Sequence, residues 1–122
     1  VKVVYIAGPY RAPSPDGIRA NLARAASLAI AVWRQGYVAL CPHLLTSFEL
    51  ETPTGIADEV WLAGVLALLR RCDAVALVEG WERSEGTLAE LREARALGLP
   101  VVRPGELGRL HMLLTAAAGE RR

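Results

Sequence analysis

The sequence has only two cysteines, Cys41 and Cys72, and they stand alone. Neither has partners at metal-ligand spacing, so a cysteine-built metal site is not expected. Both lie at the edges of apolar segments and read as buried, reduced thiols of a cytoplasmic protein. No apolar run approaches the roughly 18–20 residues that span a bilayer, so no membrane partner is expected. The first residues already carry a strand pattern, without the features of a signal peptide. Charge of one sign is also scarce: 14 Lys and Arg are intermixed with 13 Asp and Glu, for a formal net charge of +1. A nucleic-acid binder usually gathers its basic residues into a stripe, so nucleic acid is not an expected partner. Arg121 and Arg122 read as a solvated tail. There is no internal repeat and no low-complexity tract. The G-x-G-x-x-G spacing and the Walker lysine are missing, which excludes a dinucleotide or ATP site of those types.

What is present suffices for a folded domain. At 122 residues, 52% of them apolar, the chain is expected to form one domain over residues 1–122 with a substantial core. "VKVVYIAG" is β-branched and apolar almost throughout, as in a strand buried on both faces. "PYRAPSPDG" reads as a loop. A helix then starts at Ser14 or Asp16, either of which can cap it. It runs to about Gln35, with Leu22, Ala26, Ala29, Ile30 and Trp33 on one face, and Gly36 ends it. "YVALC" is a second strand, and residues 42–55 read as a long loop. A helix is expected over about 56–71, with Val60, Ala63, Leu66 and Leu69 toward the core. "DAVALV" is the third strand and residues 84–97 the next helix. "PVV" is the fourth strand and residues 106–119 a last helix.

Apolar strands alternating with helices predict an α/β three-layer sandwich around a parallel sheet of four to five strands. The expected order is flavodoxin- or Rossmann-like, about 2-1-3-4. Ligands of such sheets sit beyond the strands' C-terminal ends, near the switch point between strands 1 and 3. The loops on that edge are "GPYRAP", "PHLLTSFE", "GWERSEGT" and "RPGEL", the least core-like stretches of the chain.

Those loops hold the residues with chemistry to offer. Gly8 opens a turn after the first strand, where backbone amides can face a ligand and Arg11 can meet an anion; the alternative is a plain turn with a solvated arginine. His43 stands at the mouth of the second strand, to stack on or hydrogen-bond a ring, or to be satisfied within its own loop. No second histidine is near, so no metal site is expected there. Ser84 is a helix cap, and Gly86 permits close backbone approach. Gly86 and Glu90 are four residues apart and share a helix face. Glu90 is a candidate nucleophile or electrostatic partner for a cationic sugar centre; as a surface residue it would instead pair with Arg92 or Arg95.

Taken together, "VYIAGPYR", "YVALCPH" and "CDAVALVEGWERSEGTLAELREARALGLPV" resemble the nucleoside 2-deoxyribosyltransferase-like superfamily, in its order and near its spacing. Within it they look most like a small branch with a "YIAGPY" strand-loop and a "CDA…GWE-x-S-x-G" segment. The resemblance runs to about Val102. It implies that Glu90 attacks the anomeric carbon, that Ser84 touches a 5'-phosphate, and that Gly8, Tyr10 and Arg11 form the phosphate- and sugar-side loop. It implies that Tyr5 lies near the reacting centre and that His43 lies near the base; in a reading as an N-glycosidic enzyme, Tyr10 and Trp81 are expected to line the base side with His43. No cofactor is implied, and a homodimer or higher homo-oligomer is.

Two positions depart from the pattern. The orienting Asp expected on the helix before strand three falls at Val65; Asp58, two turns earlier, is the candidate substitute. A polar residue from a neighbouring subunit's last helix has only Arg109 or His111 to match it. "GTLAE" is also similar to the end of the phosphoribohydrolase motif "PGG-x-GT-x-x-E", although its paired glycines are absent. Three readings follow: cleavage or transfer of an N-glycosidic bond of a nucleoside or nucleoside 5'-monophosphate; a nucleotide-binding or sensing domain that lost the chemistry; and a structural module whose charged loop serves subunit contacts.

Overall fold

The computed structural model describes residues 1–120, so the tail of Arg121 and Arg122 lies outside the described residues. Each short apolar run forms a strand: β1 (Val3–Ala7), β2 (Val38–Leu40), β3 (Ala74–Leu77) and β4 (Val101–Val102). All pairings are parallel, in the order β2-β1-β3-β4. This is the order expected from the sequence. β1 and β3 pair from Val4 opposite Ala74 to Ala7 opposite Leu77, and both strands are buried along nearly their whole length.

Successive β1 side chains point to opposite faces, and the two faces have separate cores. Val4 and Ile6 pack with Ala25, Ala29 and Val32 of α1 (Pro15–Arg34) and with Leu110 and Leu114 of α5 (Leu110–Glu120). Tyr5 and Ala7 pack on the other face with Leu69 of α3 (Asp58–Leu69) and with Leu91 and Ala94 of α4 (Glu85–Ala96). The layers are therefore α1 and α5, then the sheet, then α3 and α4. Among the described residues no helix is long and apolar enough to cross a membrane.

α1 starts where a cap and a proline coincide. The Ser14 hydroxyl oxygen accepts from the Gly17 amide at 3.1 Å, and Pro15 follows at the first helical position. Its inward face differs from the expected one. Asn21, Ala25, Ala29 and Val32 are buried, whereas Ile30 and Trp33 are 49% and 55% exposed. Small alanines let the helix axis lie close to the sheet, so the alanine side, and not the bulkier one, turns inward. On α3, Leu66 and Leu69 pack against the core as expected, but Val60 and Ala63 are exposed.

The expected loop over residues 42–55 is partly helical. α2 (Pro42–Leu45) follows β2 at once, and a 3-10 turn occupies Ser47–Leu50. Pro42 sits at the first helical position with its φ already set, so a helical turn starts there without losing an amide donor. Both thiols are free and buried; Cys41 lies between β2 and α2, and Cys72 precedes β3.

Candidate functional site

The strands' C-terminal ends open onto a cleft of about 1310 Å³. Its walls are the segment after β1, α2, the start of α3, and the turn leading into α4. Gly8, just past β1, lies against Val78, just past β3. A β-carbon there would lie 2.7 Å from Cγ2 of Val78, so only glycine lets the strand ends meet. Gly80, with φ 89°, turns the chain left-handed after β3 and launches a 3-10 turn, Trp81–Arg83.

That turn delivers Ser84 to the N-cap of α4. The Ser84 hydroxyl oxygen accepts from the Thr87 amide at 3.2 Å and from Thr87 Oγ1 at 2.9 Å. Both lone pairs are then used, and the hydroxyl has only its proton left to offer. A donor-only group beside the first amides of a helix suits an anionic ligand. Gly86 is exposed on the cleft wall, and a β-carbon there would meet nothing within 4 Å.

One turn further along α4, Glu90 reaches the cleft floor. It is only 8% exposed, and the fully buried Tyr5 hydroxyl of β1 donates to its Oε2. Burial raises the Glu90 carboxyl to about 7, although the Tyr5 hydrogen bond pulls the other way. Burial and the adjoining carboxylate push the Tyr5 hydroxyl up, so it stays protonated and is a permanent donor. The result is a carboxylate near the midpoint of its titration at neutral pH, steadied on one oxygen. Such a group can act as a nucleophile or balance a cation.

The opposite wall carries Tyr10, Arg11 and His43. The Arg11 guanidinium donates to Asp58 Oδ1, and both side chains are 72% exposed. This pair spans the mouth of the cleft between the β1 segment and the start of α3. Asp58 is thus an exposed partner of Arg11, whereas Glu90 lies buried on the floor. Val65 of α3 lines the cleft where the resemblance would have an aspartate. His43 is buried on α2, with Nε2 2.9 Å from the Gly8 carbonyl oxygen and 3.0 Å from that of Pro9. Two acceptors at Nε2 fix the proton there. Burial lowers the His43 pKa and favours the neutral ring, whose Nδ1 has no hydrogen-bond partner among the described residues. Tyr10 meets the His43 ring edge-on, with centroids 5.7 Å apart and planes at 76°.

The fold therefore brings Gly8, Tyr10, Arg11, His43, Asp58, Ser84, Gly86 and Glu90 to one cleft, with Tyr5 beneath Glu90. Trp81 is not among them. It packs against the α3 and α4 side of the core and lines a separate hollow of about 500 Å³ with Arg83 and Arg103. That hollow shares Glu79, Gly80 and Arg83 with the cleft, and Trp81 lies beside the cleft and is not part of its lining. Asn21 and Arg24 of α1 also line the cleft and were not singled out from the sequence. The available signal was the spacing of Asn21, Ala25, Ala29 and Val32, which marks Asn21 as a polar residue on the inward stripe. Among the described residues no group of three or more His, Cys, Asp or Glu side chains is arranged to hold a metal ion.

No curated protein matches the sequence. Among solved structures, a 2-desoxiribosyltransferase from Leishmania mexicana is similar, with a TM-score of 0.56 and 23% identity. The similarity covers 84% of this chain and 63% of that one, so the chain spans less than two thirds of that protein's length. The likeness is one of fold, and it agrees with the sheet order and layering described above. The model of a domain of unknown function, DUF7768, matches residues 2–103, from just before β1 to just after β4, and the chain belongs to that family.

Proposed function

We propose that the protein breaks the N-glycosidic bond of a nucleoside or nucleoside 5'-monophosphate, with Glu90 as nucleophile. The observation that carries this reading is the buried Glu90 carboxylate on the cleft floor, held by Tyr5 and raised to about 7. One carboxylate oxygen attacks C1'. The bond from C1' to the base nitrogen breaks, and its electron pair leaves with the base, which takes a proton from solvent. The glycosyl ester on Glu90 is then opened by water, whose proton returns to solvent, or by a second base. Tyr5 keeps its proton throughout and steadies the departing carboxylate. As written, the reaction uses no cofactor.

The ligand's other groups find partners along the cleft. Arg11 and the free hydroxyl proton of Ser84 suit a 5'-phosphate, and Tyr10 and His43 suit the base. The fold shared with a 2-desoxiribosyltransferase supports the same reaction class. Self-association into a homodimer or larger oligomer belongs to this reading. The half-exposed Trp33 and Met112, 55% and 57% exposed, are the apolar surface in its favour, and sedimentation checks it.

A second reading, nucleotide binding without chemistry, is favoured by one observation. Val65 offers no polar atom to orient sugar and base, and Asp58 is engaged with Arg11. One assay separates the two. The protein is incubated with a panel of ribo- and deoxyribonucleosides and their 5'-monophosphates, and free base is followed by chromatography, with Glu90→Ala alongside. Base release lost in the variant supports the enzyme. Binding without release supports the sensor, and no binding of any member ends both.

A further inference from the structure

The segment after β1 is held by two buried polar side chains that, like the segment itself, border the cleft. His43 Nε2 donates to the carbonyls of Gly8 and Pro9, at 2.9 and 3.0 Å. Asn21 Nδ2 reaches the carbonyls of Tyr10 and Arg11, at 3.0 and 3.4 Å. Four consecutive carbonyls are thus held by side chains, in a segment outside any helix or strand. Asn21 and His43 are each only 7% exposed. An asparagine on the inward stripe of α1 is a poor choice for helix propensity and for burial unless its amide is used. Arg24, three residues on, donates to Asn21 Oδ1 and so settles which end of that amide faces the loop.

This capture has a consequence on the other side of the segment. Among the described residues no peptide bond is cis. In a trans peptide each carbonyl points opposite to the following N–H. Pro9 has no N–H, so the amides of Tyr10, Arg11 and Ala12 turn away from the clamp. We propose that Asn21, oriented by Arg24, is a positioning residue that fixes these peptide units, with the Arg11 side chain they carry, to receive an anionic oxygen group in the cleft. The nature of the ligand rests on the nucleotide reading above; the clamp itself does not.

Asn21→Asp tests this. It keeps the size and the grip on Arg24 but turns a carboxylate oxygen toward the Tyr10 and Arg11 carbonyls. The backbone amide resonances of Tyr10, Arg11 and Ala12 are expected to move. The calorimetric Kd for 2'-deoxyadenosine 5'-monophosphate is expected to rise about tenfold, the loss of one good polar contact. Any kcat for base release is expected to stay within about threefold, because Glu90 and Tyr5 are untouched. Should that variant not fold, Arg24→Ala removes the guanidinium that holds Asn21 Oδ1 at the cleft wall; it should move the same amides and weaken binding less, with Arg24→Lys restoring both. Unmoved loop amides overturn the proposal, as does movement with an unchanged Kd, or a loss confined to kcat. If the wild-type protein binds no nucleotide, the nucleotide reading falls, and the loop amides alone decide the clamp.

Discussion

Replacing Glu90 by glutamine is expected to stabilise the protein, and to do so only above a definite pH. The unfolded chain ionises this side chain near the ordinary value of 4.5, whereas the folded chain keeps it protonated until about pH 7. Between those values the native state carries one proton more than the unfolded state. The residue's contribution to stability therefore falls as pH rises through this window, by about 1.4 kcal/mol per pH unit, and is level outside it. The full span from 4.5 to about 7 makes the buried carboxylate cost about 3 kcal/mol at pH 8.5. Glutamine carries no charge to desolvate, and its one carbonyl oxygen can still accept from Tyr5. Urea unfolding of both proteins at pH 8.5, 7 and 4.5 measures the difference. Glu90→Gln should be the more stable at pH 8.5 by about 3 kcal/mol, the gap closing as pH approaches 4.5. An equal or less stable variant at pH 8.5, or a gap independent of pH, would refute the view that this carboxylate is held at a cost to the fold. The same titration has a kinetic face: a nucleophile must be ionised, so base release should rise with pH through about 7.

Tyr5→Phe removes the donor that steadies the carboxylate. Glu90 should then ionise at a higher pH, moving the acid limb of the pH–rate profile upward; an unmoved limb would separate Tyr5 from the chemistry. Gly8→Ala drives a methyl group into Val78 where β1 and β3 meet, and should lower stability by about 1–3 kcal/mol in urea unfolding. Arg11→Ala should weaken phosphate-bearing ligands by roughly 1.5–3 kcal/mol and free nucleosides far less, measured by calorimetry. Equal losses for both classes would remove the phosphate from the picture.

Much of the fold was legible because each piece of it has a local cause. β1 and β3 are apolar runs too short for helices, and Ser14-Pro15 and Ser84 carry cap chemistry that acts within four residues. The cleft loops stood out because polar residues and glycines gather where strands end. The misreadings also have causes. Residues 42–55 looked like a loop because helix propensity is weak over four residues, although Pro42 at a first helical position was a visible signal. The face of α1 read from the sequence, Leu22, Ala26, Ala29, Ile30 and Trp33, shares only Ala29 with the buried residues Asn21, Ala25, Ala29 and Val32, because contact with the sheet selected a neighbouring stripe of smaller side chains.

The amino-acid sequence by itself determined the alternation of strands and helices, the parallel order that follows from it, and the edge on which a site could lie. These depend on periodicity, caps and breakers that operate between near neighbours. Only the tertiary structure decided that Tyr5 lies beneath Glu90, 85 residues away, and that Arg11 is engaged by Asp58, 47 residues away. It also decided that Asn21 and His43 hold one segment from two helices. Such meetings depend on which faces pack together, and burial, which sets the charge of Glu90, exists only once they have packed.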